Sequence, residues 1–230
     1  MQFFIFVLLG CLLLYFFTLH VLAKEDLIFV RKNVTLESLF NLSFIAMGVG
    51  LLSARVVYVL LNFEQGFLNP LVFFLFPYYP GLSFIGGVAG ALLCLYLIAK
   101  RRRLPIGRIF DFYMLSLLAS LPLGFLGTQL LLGFHDLFLT IIMPLIYVVT
   151  VIFFANILLP LNVRGEIKDG SLGFLVLMII SFTTLLASII RTSADINFFL
   201  GVENVLYLAI FFVCLAMMVF QERERRGKVR

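Results

Sequence analysis

Two arginines in this chain lie apart from every other basic residue and are the first candidates for chemistry. The sequence holds 17 Lys and Arg residues, and 15 of them fall in four short segments. Arg55 and Arg191 are the exceptions, and Arg55 stands inside an apolar run. A charge at the centre of a bilayer is unfavourable by roughly 2.5–3.5 kcal/mol on insertion scales. Arg55 must therefore face the protein interior, snorkel or bind an anion, so it either pairs with Glu203 or Asp195 or contacts a lipid phosphate.

Other polar side chains extend this set of candidates. Tyr58 follows Arg55 by three residues, so a helix places both on one face. The alternative role of Tyr58 is an interfacial anchor. His135 precedes Asp136, whose carboxylate favours a more basic imidazole; His135 is therefore either a catalytic base or part of a solvated loop. Arg191 either belongs to the same site or forms an ion pair at a helix end.

The elements that position these residues are predicted to be transmembrane helices. The chain is 63% hydrophobic and only 13% charged, with a mean hydropathy of +1.16, which excludes a soluble globular domain. A membrane helix needs about 20 apolar residues. Seven windows approach this length: residues 2–23, 39–61, 81–99, 109–132, 137–159, 171–190 and 200–220. We predict an all-α integral membrane protein with seven transmembrane helices in one domain, residues 1–230.

The basic segments predict the orientation of these helices. They lie around residues 24–32, 100–108, 164–168 and 223–230, after the first, third, fifth and seventh windows. Because basic residues stay on the cytoplasmic side, we expect the N-terminus outside, the C-terminus in the cytoplasm and a basic cytoplasmic tail at 221–230. The charge of +5 then favours anionic headgroups, and nucleic acid is not an expected partner.

One predicted outer segment, residues 64–80, is neither a plain loop nor a crossing. Its apolar part, residues 67–76, has about half the length needed to span a membrane. Pro70, Pro77 and Pro80 interrupt or bound it. We expect this segment to lie in the interface or to re-enter the membrane, where it either rests on the helices or takes part in lipid access.

The cysteines give no sign of a metal or a cofactor. Cys11, Cys94 and Cys214 each stand in an apolar stretch without metal or redox spacing. We interpret them as small core residues and expect neither metal nor cofactor.

Several short motifs follow one another in a recognisable order. Residues 54–60 read ARVVYVL, residues 81–87 read GLSFIGG, and AKRRR at 99–103 precedes FDF at 110–112. These motifs resemble those of the prolipoprotein diacylglyceryl transferase family, which are approximately G-A-R-x-G-Y-V-L, G-L-S-F-H-G-G, A-R-R and D-F. Their order and spacing and the count of seven helices agree with the family, so the resemblance covers nearly the whole chain.

The resemblance implies a reaction and its partners. Members of the family move a diacylglyceryl group from phosphatidylglycerol to the cysteine thiol of a lipoprotein precursor in the bacterial cytoplasmic (inner) membrane. That chemistry requires a cation for the leaving phosphate, a base for the thiol and a pocket open to lipid. Weak catalytic candidates here are His135 and Arg191. The residues assigned to lipid binding are Arg55, Tyr58, Ser83, Gly86 and Gly87.

Some of these motif residues have structural alternatives. Gly86, Gly87 and Gly90 place small residues on one helix face, and close helix packing accounts for such a pattern. Asp111 is predicted to cap the helix at 109–132 at its cytoplasmic start.

The chain departs from the family pattern where charge is needed. The family motif G-R-x-G-N-F-x-N-x-E falls on residues 124–133, and of its defined positions only the two glycines are retained. The replacing residues are Ile85 for histidine, Phe125 and Thr184 for arginines, Thr128 and Leu131 for asparagines, and Gly133 for glutamate.

Two functional classes follow from these departures. In the first, the chain is a transferase in which Arg55, His135 and Arg191 supply what the lost residues did. In the second, it is a non-catalytic phospholipid-binding or assembly protein. The absence of an inverted repeat in the sequence disfavours a transporter.

Overall fold

The computed structural model describes residues 2–24, 26–62, 81–132, 141–191 and 201–229, and the regular structure in these ranges is entirely helical. The helices are α1 (Gln2–Lys24), α2 (Leu27–Arg31), α3 (Leu36–Leu61), α4 (Phe84–Arg101), α5 (Ile106–Leu132), α6 (Met143–Val163), α7 (Ser171–Arg191) and α8 (Val202–Val229). All except the short α2 are long and apolar enough to cross a membrane. The prediction of a seven-helix, multi-pass membrane protein is confirmed in the described part of the chain. The predicted interfacial segment at 64–80 lies outside the described residues.

The chain forms two compact units, each with its own packing. One, the five-helix unit, contains Met1–Leu27 and Gly107–Arg230, and so α1 and α5 to α8. The other, the α3–α4 unit, contains Ile28–Ile106. The candidate lipid-binding residues all lie in the α3–α4 unit, whereas the positions that diverge at the family's arginines lie in the five-helix unit.

Hydroxyl caps and small residues shape the α3–α4 unit. The Thr35 side chain accepts a hydrogen bond from the Ser38 amide at 3.2 Å and begins α3, because the first turn of a helix leaves amides without internal partners. Farther along α3, a Cβ on Gly50 would lie 3.0 Å from the Gly87 carbonyl oxygen and 3.1 Å from the Ala91 Cβ. The two backbones therefore approach closely, as small-residue contacts between membrane helices permit.

The exterior of the helices is apolar, as a lipid-facing surface requires. Large hydrophobic side chains are more than half exposed along several helices, including Phe17 at 67%, Leu60 at 71% and Phe212 at 56%. Exposure of these side chains to water would be unfavourable, whereas in a bilayer they contact hydrocarbon.

A buried ion-pair network fixes the start of α5. Arg108 is 2% exposed and donates from Nε and Nη2 to Asp26 Oδ2 at 2.8 and 2.6 Å. Its Nη1 donates to Asp169 Oδ1 at 3.4 Å. A buried guanidinium requires such partners to offset its desolvation. The network joins the segment after α1, the first turn of α5 and the segment before α7.

Asp111 caps a different helix from the one predicted. The sequence placed it at the start of its own helix, but α5 begins five residues earlier, at Ile106. Its carboxylate instead accepts hydrogen bonds from the amides of Gly170 and Gly173, both at 2.7 Å. These amides belong to the N-terminus of α7, where backbone donors lack internal partners and the helix dipole favours an anion. The prediction was wrong because it assumed that Asp111 caps the helix to which it belongs.

Helix α6 contains one wider turn. Residues Phe154–Leu158 form a π-helical segment, in which the Leu159 amide donates to the Phe154 carbonyl. Pro160 follows, and its ring nitrogen has no hydrogen to donate. The buried residues of α6 include Met143, Tyr147, Phe154 and Asn162.

Candidate functional site

Arg55 is fully enclosed near the C-terminal end of α3. Its exposed fraction is 0%, and it lies six residues before Leu61, the last residue of α3, which is roughly 9 Å along the helix. Nη1 donates a hydrogen bond to the Gly81 carbonyl oxygen at 2.8 Å. A bond from a charged donor is stronger than a neutral one, so Arg55 ties the backbone before α4 to α3.

Tyr58 and Gly81 complete this corner. The Arg55 guanidinium carbon lies 5.8 Å from the centroid of the Tyr58 ring, within the range of a cation–π interaction. Gly81 has a φ of +153°, and a Cβ there would overlap the Tyr58 ring. Only glycine can offer its carbonyl to Arg55 while lying against that ring.

Ser83, Gly86 and Gly87 serve the packing of α4 against α3. The Ser83 amide donates to the Ala54 carbonyl oxygen at 3.0 Å, and its hydroxyl accepts from the Gly86 amide at 3.3 Å as the cap of α4. A Cβ on Gly86 would lie 2.6 Å from Val57 Cβ, and one on Gly87 would lie 3.3 Å from Ala54 Cβ. The structure thus brings the five predicted lipid-binding residues into one corner, which we call the Arg55 corner (Arg55, Tyr58, Gly81, Ser83, Gly86 and Gly87).

The other predicted site residues are described in part or not at all. His135 and Asp195 lie outside the described residues. Arg191 is the last residue of α7, and only its backbone is described. Glu203 is exposed near the start of α8 and belongs to a different unit from Arg55. The pairing of Arg55 with Glu203 or Asp195 stays a prediction.

The position of the family's signature arginine is occupied by an aromatic stack. The Phe125 ring lies 5.3 Å from the Tyr147 ring, with an angle of 23° between their planes. Tyr147 is 0% exposed, and its hydroxyl lies 2.6 Å from Thr183 Oγ1. The Thr183 hydroxyl also lies within hydrogen-bond distance of the Ile179 and Ile180 carbonyl oxygens, at 2.8 and 3.0 Å. The Phe125 cluster, made of Phe125, Tyr147 and Thr183, is neutral.

Thr184, at the position of the second family arginine, is also neutral and bonded locally. Its hydroxyl donates to the carbonyl oxygens of Ile180 at 2.7 Å and Ser181 at 3.0 Å, as threonines commonly do within membrane helices. Ile85, which replaces the family's histidine, is buried in the first turn of α4. These three positions contribute no charge and no titratable group.

Sequence reasoning missed two of the partners that organise these regions. Gly81 was noted only as the start of a motif, and its role as an acceptor for Arg55 depends on a contact 26 residues away. Tyr147 gave no signal because a tyrosine in an apolar window also fits an ordinary core. A paired signal was present in principle: a buried tyrosine needs a hydrogen-bond partner, and α7 carries adjacent threonines.

Comparison with known proteins agrees with the motifs. The sequence model of the family described as prolipoprotein diacylglyceryl transferase matches residues 2–221 of the 230. None of the curated proteins matches the chain. The match covers all seven spanning helices, the Arg55 corner and the Phe125 cluster. The chain therefore belongs to the prolipoprotein diacylglyceryl transferase family.

Proposed function

We propose that this protein binds phosphatidylglycerol within the family scaffold and does not transfer its diacylglyceryl group. The Phe125 cluster is the observation that carries this proposal. Transfer leaves a phosphate whose charge must be stabilised, and removing one such donor typically lowers a rate by roughly 10²–10³-fold. Phe125, stacked on the hydrogen-bonded Tyr147, is neutral where the family motif has a guanidinium.

The Arg55 corner is the proposed place for the lipid headgroup. A guanidinium binds phosphate oxygens through charge-assisted hydrogen bonds, so Arg55 is the cation proposed to meet the phosphate. Because Arg55 lies about 9 Å from the end of α3, its depth suits a headgroup that enters from the leaflet at that end. Tyr58 lies beside the guanidinium, and Gly86 and Gly87 let α4 pack closely against α3.

The setting of this function is the bacterial cytoplasmic membrane, with the N-terminus outside and the C-terminus in the cytoplasm. The four basic segments and the family's reaction support this assignment. In this orientation the C-terminal end of α3, near Arg55, lies on the outer side of the membrane.

A second candidate function is the family reaction itself, and the match over residues 2–221 favours it. In that case Arg55 and Arg191 hold the phosphate and His135 forms the thiolate of a lipoprotein precursor. The two functions differ in one measurable product, a diacylglyceryl thioether on the lipobox peptide.

A transfer assay separates them. The purified chain is mixed with a lipobox peptide in phosphatidylglycerol micelles, and the peptide mass is followed alongside an authentic transferase of the family. We expect the peptide to stay unmodified. In cells depleted of their own transferase, we likewise expect no growth with this gene, although the protein inserts into the membrane. Diacylglyceryl-modified peptide, or rescued growth with modified lipoproteins, would establish the transferase instead.

Lipid retention tests the Arg55 corner. In native mass spectrometry, Arg55→Gln should reduce the phosphatidylglycerol that copurifies, and Arg55→Lys should keep part of it because the charge remains. Glu203→Gln and Asp195→Asn are the matched controls and should change nothing. Unchanged lipid in Arg55→Gln, together with equal losses of thermal stability in Arg55→Gln and one acid variant, would make Arg55 a structural residue.

A further inference from the structure

A groove in the five-helix unit has the layout of a second lipid site. It has a volume of about 560 Å³ and runs between the start of α7 and the end of α8. This is within the range of ordinary ligand pockets, about 300–1,000 Å³. At one end, which we call the mouth, the groove is lined by Glu166, Lys168, Ser171 and Gln221.

Away from this polar mouth the lining is apolar. Leu175 and Met178 line it from α7, and Leu215 and Met218 line it from α8. From Ser171 to Met178 the groove extends roughly 10 Å along α7. A charged mouth above an apolar channel matches a molecule with a polar head and a hydrocarbon tail.

The mouth also lies at the boundary of the membrane-spanning segments. The apolar span of α7 begins at Ser171 and that of α8 ends at Gln221. Ser171 Oγ donates to Gln221 Oε1 at 2.8 Å, so the two ends lie side by side. In this hydrogen bond the amide oxygen of Gln221 is the acceptor. The Nε2 group of the same amide is a donor. The mouth therefore meets headgroups, and the rest of the groove meets acyl chains.

Charge near the mouth favours an anionic headgroup. The segment between α6 and α7 carries Arg164 and Lys168 against Glu166 and Asp169 and is neutral, whereas residues 222–228 carry four basic and two acidic side chains. The second segment is net positive, and basic residues at a membrane surface attract anionic lipids.

We propose that the groove holds one acyl chain of an anionic phospholipid, with its phosphate at Lys168 and the Gln221 amide. With the predicted orientation, this lipid belongs to the cytoplasmic leaflet. The site is distinct from the Arg55 corner and does not depend on the function proposed there.

The sequence contains no tryptophan, so single introduced tryptophans can report on this groove in the full-length protein. Met218→Trp places the reporter in the groove wall, and Leu175→Trp serves the same purpose from α7. Phe220→Trp is the matched control, since Phe220 is 61% exposed and only two residues from Met218. Each variant is placed in vesicles with dibrominated phosphatidylglycerol or dibrominated phosphatidylcholine, and fluorescence quenching gives the relative affinity at each position.

We expect the groove reporters to prefer phosphatidylglycerol by on the order of fivefold and Phe220→Trp to show almost no preference. Added to a groove reporter, Lys168→Gln should abolish the preference and Glu166→Gln should increase it. Equal quenching by both lipids at both groove reporters would overturn the proposal. A preference that survives Lys168→Gln would overturn it as well.

Discussion

At the scale of single residues, the α3–α4 unit depends on the missing side chains of its glycines. Gly86 faces Val57 at a distance that no Cβ can occupy, whereas a Cβ on Gly48 of α3 would meet nothing within 4 Å. Substitution at Gly86 changes both the helix–helix contact and the helix propensity, whereas substitution at Gly48 changes only the helix propensity. Packing accounts for Gly86 and Gly87, and their assignment to lipid binding stays a prediction.

This contrast gives a first prediction. Gly86→Ala should lower the free energy of unfolding by about 1–3 kcal/mol, because the added methyl overpacks the contact with Val57. Gly48→Ala should be neutral or stabilising by up to about 1 kcal/mol, because alanine favours a helix. Thermal unfolding in detergent micelles measures both. Equal stability of the two variants would show that α3 and α4 do not approach as closely as described.

A second prediction concerns the charges around Arg108. Arg108→Gln should destabilise the protein by about 3–5 kcal/mol, because it leaves Asp26 buried without its counter-charge. Asp169→Asn should change stability by at most about 1 kcal/mol, since the Asp169 side chain is 40% exposed and its oxygen lies 3.4 Å from the guanidinium. Denaturation of the single variants in micelles tests the ranking. A larger loss for Asp169→Asn would reverse the assigned order.

At the scale of elements, Asp111 links the start of α5 to the start of α7. Its carboxylate accepts from two amides of α7, so the first turn of α7 is completed by a residue about 60 positions earlier in the chain. Gly170, with a φ of +96°, takes a left-handed conformation that directs its amide to this carboxylate. Helix α7 begins at Ser171 because this arrangement supplies the acceptor.

The third prediction follows from this cap. Asp111→Ala should leave the Gly170 and Gly173 amides unpaired, at about 1–3 kcal/mol each if both remain buried. Hydrogen exchange should then accelerate at residues 170–173 before it changes in the middle of α7. Ser120→Ala, on the same helix, is the control, since its hydroxyl bonds only within α5. Unchanged exchange at 170–173 would mean that another group caps α7.

Elements were more predictable from the sequence than their partners. The seven apolar windows gave the spanning helices because hydrocarbon demands about 20 apolar residues. The partner of Asp111 was not predictable, because a carboxylate near one helix start can equally reach another. Likewise, the family motifs located Phe125 and Thr184 but not their neighbours. A buried tyrosine needs a hydrogen-bond partner, but this rule did not identify Tyr147 as the ring that stacks on Phe125 or Thr183 as the residue to which Tyr147 bonds.

At the scale of the whole molecule, the orientation rests on the four basic segments, and it decides which leaflet each proposed lipid site meets. A fourth prediction tests it. A periplasm-active reporter fused after Asp136 should be active, and one fused after Arg230 should be silent, because basic segments stay in the cytoplasm. A cytoplasm-active reporter at the same two positions is the control. The opposite pattern would exchange the leaflets of the Arg55 corner and the α7–α8 groove.

The wider turn in α6 has a consequence for how the helix tolerates a change in length. Each residue turns an α-helix by about 100°, so without the π segment Asn162 would point about a quarter-turn away from Met143, Tyr147 and Phe154. The extra residue in Phe154–Leu158 cancels that rotation and keeps all four on one stripe. Deleting Ile157 alone should therefore convert the segment to an α-turn and keep Asn162 on that stripe, whereas deleting both Asn156 and Ile157 should rotate Asn162 off it. We expect the double deletion to lose more thermal stability in micelles than the single deletion, and equal losses would contradict this account.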